Sequence, residues 1–206
     1  MVLLKRSRAT MQVRKRTEVR RQQIVDIIRN IISTKGIENV TISEIAGRIG
    51  TTGGAIYRHF KSKRDILILL IDDIEETLMD VIDKAMTGDD PIQNLNNILL
   101  AHLAYAKERR ETSFIIIMGA MQFSDAIIRE KISLLIQKYL KKIETMLADA
   151  VKLGLLKKEI NREAAAIAFL GLIQSTVTVW SYKNFNFVPS KMSADLWNIY
   201  KHGIGV

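Results

Sequence analysis

Apolar residues recur along this chain with the period of a helix. Ile24, Ile27, Ile28, Ile31 and Ile32 follow the i, i+3, i+4, i+7, i+8 series and predict a helix over about Thr17 to Thr34, with Lys35-Gly36 as its stop. Before it, residues 1–16 (MVLLKRSRATMQVRKR) carry many cations and no helical period, which reads as a flexible basic arm. After it, Ile42, Ile45, Ala46 and Ile49 give a second, shorter stripe. Thr41 and Glu44 open that stripe with the spacing of a capping box, in which a hydroxyl and a carboxylate each accept from an otherwise unpaired N–H. Gly50 follows the last apolar position, where a residue without a β-carbon turns left-handed at no steric cost. Thr52 is placed to cap a third segment with Ile56 and Phe60 on its buried side. Ser62 and Asp65 repeat the capping pattern before a long fourth helix.

That fourth helix is predicted over about Lys63 to Met86. Its first half, Ile66 to Ile71, is apolar nearly all round, as in a helix buried between two bodies, and Asp72, Asp73, Glu75, Glu76, Asp80 and Asp83 then read as a solvated acidic face. Asp90-Pro91 supplies a cap and a first helical residue. Beyond it the pattern predicts helices over Pro91 to Arg110, Thr112 to about Phe123, Ser124 to Leu153, Arg162 to Tyr182 with Asn161 as cap, and Pro189 to about His202. In the helix from Ser124, the residues expected inward include Ile127, Ile128, Leu135, Ile136 and Ile143. The expectation is an all-α chain of about nine helices. It divides into an arm (1–16), a three-helix domain (17–62) and a larger helical domain (63–206), with the long fourth helix as a direct mechanical link.

Composition narrows the function. With 206 residues and 48% hydrophobic content the chain can bury a sizeable core, and with no cysteine it holds no disulfide or cysteine-ligated metal. Absence of cysteine suits a reducing cytoplasm, the expected location. No unbroken apolar run reaches the roughly 18 residues of a membrane span, and Met1 to Leu4 is too short for a signal-peptide core. The net charge is +9, but residues 1–64 hold 15 Lys and Arg against 4 Asp and Glu, a net of +11, while 65–206 hold 16 against 18, a net of −2. The whole excess lies on the first three helices and the arm, an electrostatic footprint for a polyanion. His59, His102 and His202 share no metal-ligand spacing, and there is no phosphate-binding glycine loop or nucleophile elbow, so neither an enzyme nor a cofactor is expected.

Helix, glycine turn, short helix is the helix-turn-helix arrangement, whose second helix enters the major groove. Over about Thr17 to Leu70 the sequence resembles the DNA-binding domain of the TetR (tetracycline-repressor) family. The resemblance rests on Gly36, Thr41, Ile45, Ala46, Ile49, Gly50, Ile56, Tyr57, His59, Phe60, Lys63 and Leu67, and above all on the run from Ile56 to Lys63. It implies a helix-turn-helix DNA-binding domain joined to a ligand-binding and dimerisation domain, and a homodimer on a pseudo-palindromic operator. Candidate DNA contacts are Arg14, Lys15 and Arg16 of the arm, then Thr41, Ser43, Arg48, Thr51, Thr52, Gly53, Gly54, Ala55, Tyr57, Arg58, His59 and Lys63. Arg58 has the fork for a guanine edge, and Thr51 and Thr52 suit phosphates or thymine methyls. Lys63 at a helix start suits a phosphate. Gly53 and Ala55 stand where the family often has Lys and Thr. That leaves fewer base-reading side chains and permits a closer backbone approach.

By the same resemblance, the middle helices enclose an effector and the last two helices pair with a second copy. Pocket candidates are His102, Tyr105, Phe114, Met118, Met121, Gln122, Phe123, Gln174 and Trp180, an adaptable apolar set with a few polar handles. They favour a small, largely apolar effector such as a fatty acyl compound. Trp180 and Trp197 are candidate anchors of the subunit interface. The expected function is a ligand-responsive transcriptional regulator, a repressor released by effector, with no membrane partner. Two alternatives are a helical ligand-binding protein of the same fold without sequence-specific DNA binding, and a membrane-surface protein using the basic arm. Neither accounts for the run from Tyr57 to Lys63.

Overall fold

A computed structural model of the chain describes residues 2–57, 60–109 and 125–205, with backbone alone for 2–18, 55 and 57. Every regular element among the described residues is a helix. In order they are α1 (Val2–Lys35), a 3₁₀ turn (Ile37–Asn39), α2 (Ile42–Ile49), α3 (Gly53–Tyr57), α4 (Lys63–Ala85), α5 (Pro91–Glu108), α6 (Ala126–Lys152), α7 (Arg162–Tyr182), a second 3₁₀ turn (Pro189–Met192) and α8 (Ser193–Ile204). These eight α-helices fall just short of the expected nine, and the helix expected over 112–123 lies outside the described residues. The chain forms two compact units, Met1–Asp73 and Ile74–Val206, so the division falls within α4 and not at its start.

One element departs from the periodicity reading. Residues 2–16, expected as a flexible arm, continue α1. Leu, Lys, Arg, Ala, Met and Gln are all good helix formers, and extending an existing helix needs no apolar stripe.

In the first unit the core is built from Ile24, Val25, Ile28, Ile31 and Ile32 of α1, Val40, Ile45 and Ala46, Ile56 of α3, and Ile66, Leu67, Leu70 and Ile71 of α4. Burying each of the large side chains stabilises the fold by about 1.5–3 kcal/mol relative to exposure. A charged pair is buried with them. Arg29 of α1 donates to Asp73 of α4, and both side chains are only 9% exposed. Asp73 was expected on a solvated face. It follows Ile66 and Leu70 at helical spacing, which puts it on the buried side, and there Arg29 neutralises it.

In the second unit α5, α6 and α7 each have a local start signal, whereas α8 starts at Met192 without a side-chain cap. Asp90 accepts from the N–H groups of Ile92 and Gln93 at 2.8 and 3.2 Å. Asp125 caps α6 and Asn161 caps α7 in the same way. The inward face of α6 is Ile128, Ile132, Leu135, Tyr139, Ile143 and Leu147, whereas Ile127, expected inward, is 47% exposed. One residue is a 100° rotation on a helix, enough to turn a side chain out of the core. Helix α7 packs on α6 and α5 through Ala166, Phe169, Ile173, Val177 and Trp180. Helix α8 is tied to it by Tyr200, whose hydroxyl donates to the Ala165 carbonyl at 3.0 Å. Trp180 and Trp197 are both buried inside this unit, so neither is free to anchor a subunit interface. Over an 18-residue window α7 reaches a mean hydropathy of 1.5, enough by length and composition to cross a membrane, which a search for unbroken apolar runs passes over.

Candidate nucleic-acid interface and effector-binding unit

The helix-turn-helix is assembled from local signals. Thr41 accepts from the Glu44 N–H at 3.2 Å, starting α2. Gly50 lies at φ 71°, ψ 36°, and the Thr51 N–H reaches back to the Ala46 carbonyl at 3.0 Å, the closure of a left-handed helix stop. The Thr52 carbonyl then accepts from the Ile56 N–H, starting α3. Ser62 and Asp65 form the full reciprocal box at the start of α4: the Asp65 N–H donates to the Ser62 hydroxyl at 3.3 Å and the Ser62 N–H to the Asp65 carboxylate at 3.1 Å. At α2 the reciprocal arm is redirected. The Glu44 carboxylate accepts from Lys35 and Arg48, both at 2.9 Å, and the two cations hold it below the usual carboxylate pKa.

These bonds sort the DNA-contact candidates. Ser43, Thr52 and Gly54 are exposed, and Thr51 and Gly53 half-buried. A β-carbon on Gly53 or Gly54 would meet nothing within 4 Å, so the fold itself has no need of glycine at either place. Arg48 is engaged by the protein, donating to Glu44 and to Asn30 of α1. Lys63 donates to the carbonyls of Ile37 and Glu38 at 3.1 and 3.3 Å, fastening α4 to the 3₁₀ turn. Both were expected to face DNA, and both act here as braces. The Glu44–Arg48 spacing carried the signal for one, since residues four apart are neighbours on a helix. Nothing local announced the other. Arg14, Lys15 and Arg16 lie on α1, and Ala55 and Tyr57 on α3. Arg58 and His59 lie outside the described residues.

In the second unit, His102 and Tyr105 lie three residues apart on α5, each with a partner the sequence did not reveal. The His102 ring is 5.4 Å from that of Tyr139 and 6.4 Å from that of Tyr105. Its Nδ1 lies 3.1 Å from the Tyr139 hydroxyl, and removal from water pushes its pKa down to about 4, so the ring is neutral near pH 7. The Tyr105 hydroxyl pairs with Thr77 of α4 at 2.8 Å, and Arg109 stands 5.8 Å from the Tyr105 ring centre. Gln174 is half-buried and Trp180 buried on α7. Phe114, Met118, Met121, Gln122 and Phe123 lie outside the described residues.

The other face of α7 is apolar and uncovered. Ile167 is 53% and Val179 47% exposed, with Ala168, Gly171 and Ser175 exposed between them, and Ile199 of α8 is 67% exposed beside this stripe. A groove of ≈ 700 Å³ runs along it, lined by Ala164, Ala168, Leu172, Ile199 and Gly203 among others.

A helix-turn-helix on one compact unit and a separate helical bundle on the next define a DNA-binding regulator with its own sensing part. The family comparisons agree. Residues 24–70 match the model of the tetR family of bacterial regulatory proteins, and residues 70–203 match the C-terminal region of YsiA-like proteins. The chain belongs to the TetR family and is a ligand-responsive transcriptional regulator. It is 26% identical over 187 residues to the fatty acid metabolism regulator protein of Bacillus subtilis, covering 88% of this chain and 94% of that one. It is 24% identical over 184 residues to the nucleoid occlusion factor SlmA of Vibrio vulnificus, covering 86% and 92%. The fold is that of the Bacillus subtilis regulator FadR, solved in complex with stearoyl-CoA: TM-score 0.78, 22% identity, covering 89% of this chain and 98% of that one.

Proposed function

We propose that two copies of the chain pair through α7 and α8 and hold a pseudo-palindromic operator, repressing transcription in the cytoplasm, and that a largely apolar effector, a fatty acyl compound, releases them. The observation that carries this reading is the uncovered apolar face of α7 with Ile199 beside it. Apolar surface of that extent marks an interaction site, and a small-residue stripe lets a second helix approach closely. A two-fold pair places two helix-turn-helix units on two half-sites, as operator symmetry requires. On the DNA, Ser43, Thr51, Thr52 and Tyr57 serve phosphates, Arg58 reads a base edge, and the backbone at Gly53 and Gly54 approaches closely. Arg14, Lys15 and Arg16, on the helical extension of α1, add salt-dependent phosphate contacts.

The acyl effector is supported by the stearoyl-CoA held by the related regulator and by the apolar interior of the second unit. His102, Tyr105, Gln174 and Trp180 line the site from the described helices, with Phe114, Met118, Met121, Gln122 and Phe123 from the segment between α5 and α6. Release is differential affinity: effector favours a spacing of the two recognition helices that misses the half-sites. Moving the balance from 1:99 to 99:1 takes about 5.5 kcal/mol of effector preference.

The test pairs Ile167→Asp with Ile199→Asp. Sedimentation is expected to show a monomer, and a gel shift on the selected operator a loss of at least 100-fold in affinity. A variant that stays dimeric rejects α7 and α8 as the interface. Arg58→Ala, with the dimer intact, tests the reading face; unchanged affinity and base preference reject Arg58 as a reader.

A further inference from the structure

Among the described residues of the second unit, buried and half-buried polar side chains are accounted for almost completely. His102 is paired with Tyr139, Tyr105 with Thr77, Tyr200 with the Ala165 carbonyl, Thr176 with the Leu172 carbonyl, and Asn94 with the Gly88 carbonyl. Among the described residues of this unit one buried side-chain polar atom has no partner, the indole nitrogen of Trp180, on a residue that is 4% exposed. A buried N–H without an acceptor forfeits its hydration without compensation, so native proteins rarely leave one without a reason.

A second feature holds the same ring. The chain leaves α7 through Asn184 at φ 51° and Phe185 at φ 62°. Asn tolerates the left-handed region, but a bulky phenylalanine there is an outlier held against steric strain. What that conformation secures is contact with Trp180. The Phe185 N–H donates to the Trp180 carbonyl at 2.9 Å, and the Phe185 ring meets the indole edge-on at 5.0 Å. The fold thus accepts backbone strain to fix the indole while leaving its donor unused.

We propose that the Trp180 N–H is the donor that holds an oxygen acceptor of the effector. This deepens, and rests on, the reading of the second unit as an effector-binding unit. The acceptor's chemistry follows from its surroundings. Arg29 and Asp73 are the buried charged residues of the described chain, and both belong to the first unit. A carboxylate at Trp180 would find no buried counter-charge among the described residues, which favours a neutral acceptor: the carbonyl of an ester, thioester, amide or ketone on an otherwise apolar molecule. A site built around one buried donor discriminates sharply against the analogue lacking the acceptor, because the donor is then left unpaired.

The experiment uses stearoyl-CoA and S-octadecyl-CoA, the thioether that keeps the chain and the nucleotide but has no carbonyl. Binding to the wild-type protein and to Trp180→Phe is measured by calorimetry. The indole ¹⁵N–¹H resonances are followed in parallel; the chain has two tryptophans, so Trp197 serves as internal reference. The expected result is roughly tenfold weaker thioester binding by the variant, equal thioether binding by both proteins, and a downfield shift of the Trp180 proton with thioester alone. Equal losses for both compounds, a Trp180 resonance unmoved at saturation, or one that keeps the signature of a bound water throughout would each overturn the assignment. If the variant does not fold, the wild-type resonance still decides. If neither CoA compound binds the wild-type protein, the acyl-thioester reading fails separately. The same resonance is then titrated with methyl laurate, a neutral apolar ester, to its solubility limit; a shift supports the Trp180 assignment and no shift rejects it.

Discussion

The buried Arg29–Asp73 pair gives the sharpest test of how the first unit is held together. Replacing Asp73 with Ala removes the carboxylate and leaves the guanidinium in the core. Its other acidic neighbour, Asp26, is 3.9 Å away on a side chain 59% exposed, too distant for a hydrogen bond and well screened. Arg29 Nη1 is already without a hydrogen-bond partner. Removing one member of a buried pair costs about 3–5 kcal/mol, because the surviving charge is uncompensated. With Asp26 offsetting a little, the expected loss is about 3 kcal/mol. Replacing both with apolar residues of similar size, Arg29→Met with Asp73→Leu, removes the uncompensated charge and is expected to recover most of that loss. Urea unfolding reads the difference. Trp180 and Trp197 both lie in the second unit, so their fluorescence follows that unit, while far-UV circular dichroism follows all the helices. For a urea dependence near 2 kcal/mol/M, the first unit's transition moves down by about 1.5 M in Asp73→Ala and separates from the fluorescence transition. A shift under about 0.3 M, or a double variant no more stable than the single one, would refute the account of the pair as a buried charge balance.

Three further outcomes are expected. Gly53→Ala and Gly54→Ala meet open space, so each should raise stability by up to about 1 kcal/mol while weakening operator binding; thermal melts and gel shifts read the two effects, and unchanged binding would remove close backbone approach from the recognition model. His102 has its folded pKa depressed to about 4 from 6.5, so the stability it contributes is full above about pH 6.5 and is lost as the pH falls toward 4, by about 3 kcal/mol in all. His102→Leu with Tyr139→Phe should flatten that slope in pH-dependent denaturation, and a slope that persists places its source elsewhere. Thr41→Ala should cost about 1 kcal/mol by deleting the α2 cap; a neutral result would mean that solvent or the Lys35–Glu44–Arg48 cluster already satisfies the helix start.

What was legible in the sequence was what is decided locally. Thr41, Gly50, Asp90 and Asn161 act within three or four residues of themselves, so their roles follow from spacing alone, and the structure finds each in place. Residues whose roles depend on a distant partner were misjudged. Asp73 sat in register with Ile66 and Leu70, a sign of burial, but Arg29, the residue that makes burial tolerable, lies 44 positions away. Lys63 looked like a phosphate ligand because only its neighbours in sequence were visible, whereas the carbonyls it serves are on the other side of the helix-turn-helix. Trp197 and Ile199 show the same limit in reverse. Two residues apart on one short helix, one is buried and the other 67% exposed, and no count of apolar positions says which side of α8 meets α7. On the proposed pairing through α7 and α8, that choice shapes the interface. Ile199 facing outward extends the uncovered stripe of α7, and Trp197 facing inward removes an aromatic from the surface offered to a second copy. The apolar face that remains is made of small and aliphatic side chains, so as the proposed interface it would draw its strength from close helix approach and buried area. Single residues along it should therefore weaken pairing gradually when trimmed to Ala and abolish it when charged, and a steep loss on trimming any one of them would point to a hot spot that this face does not display.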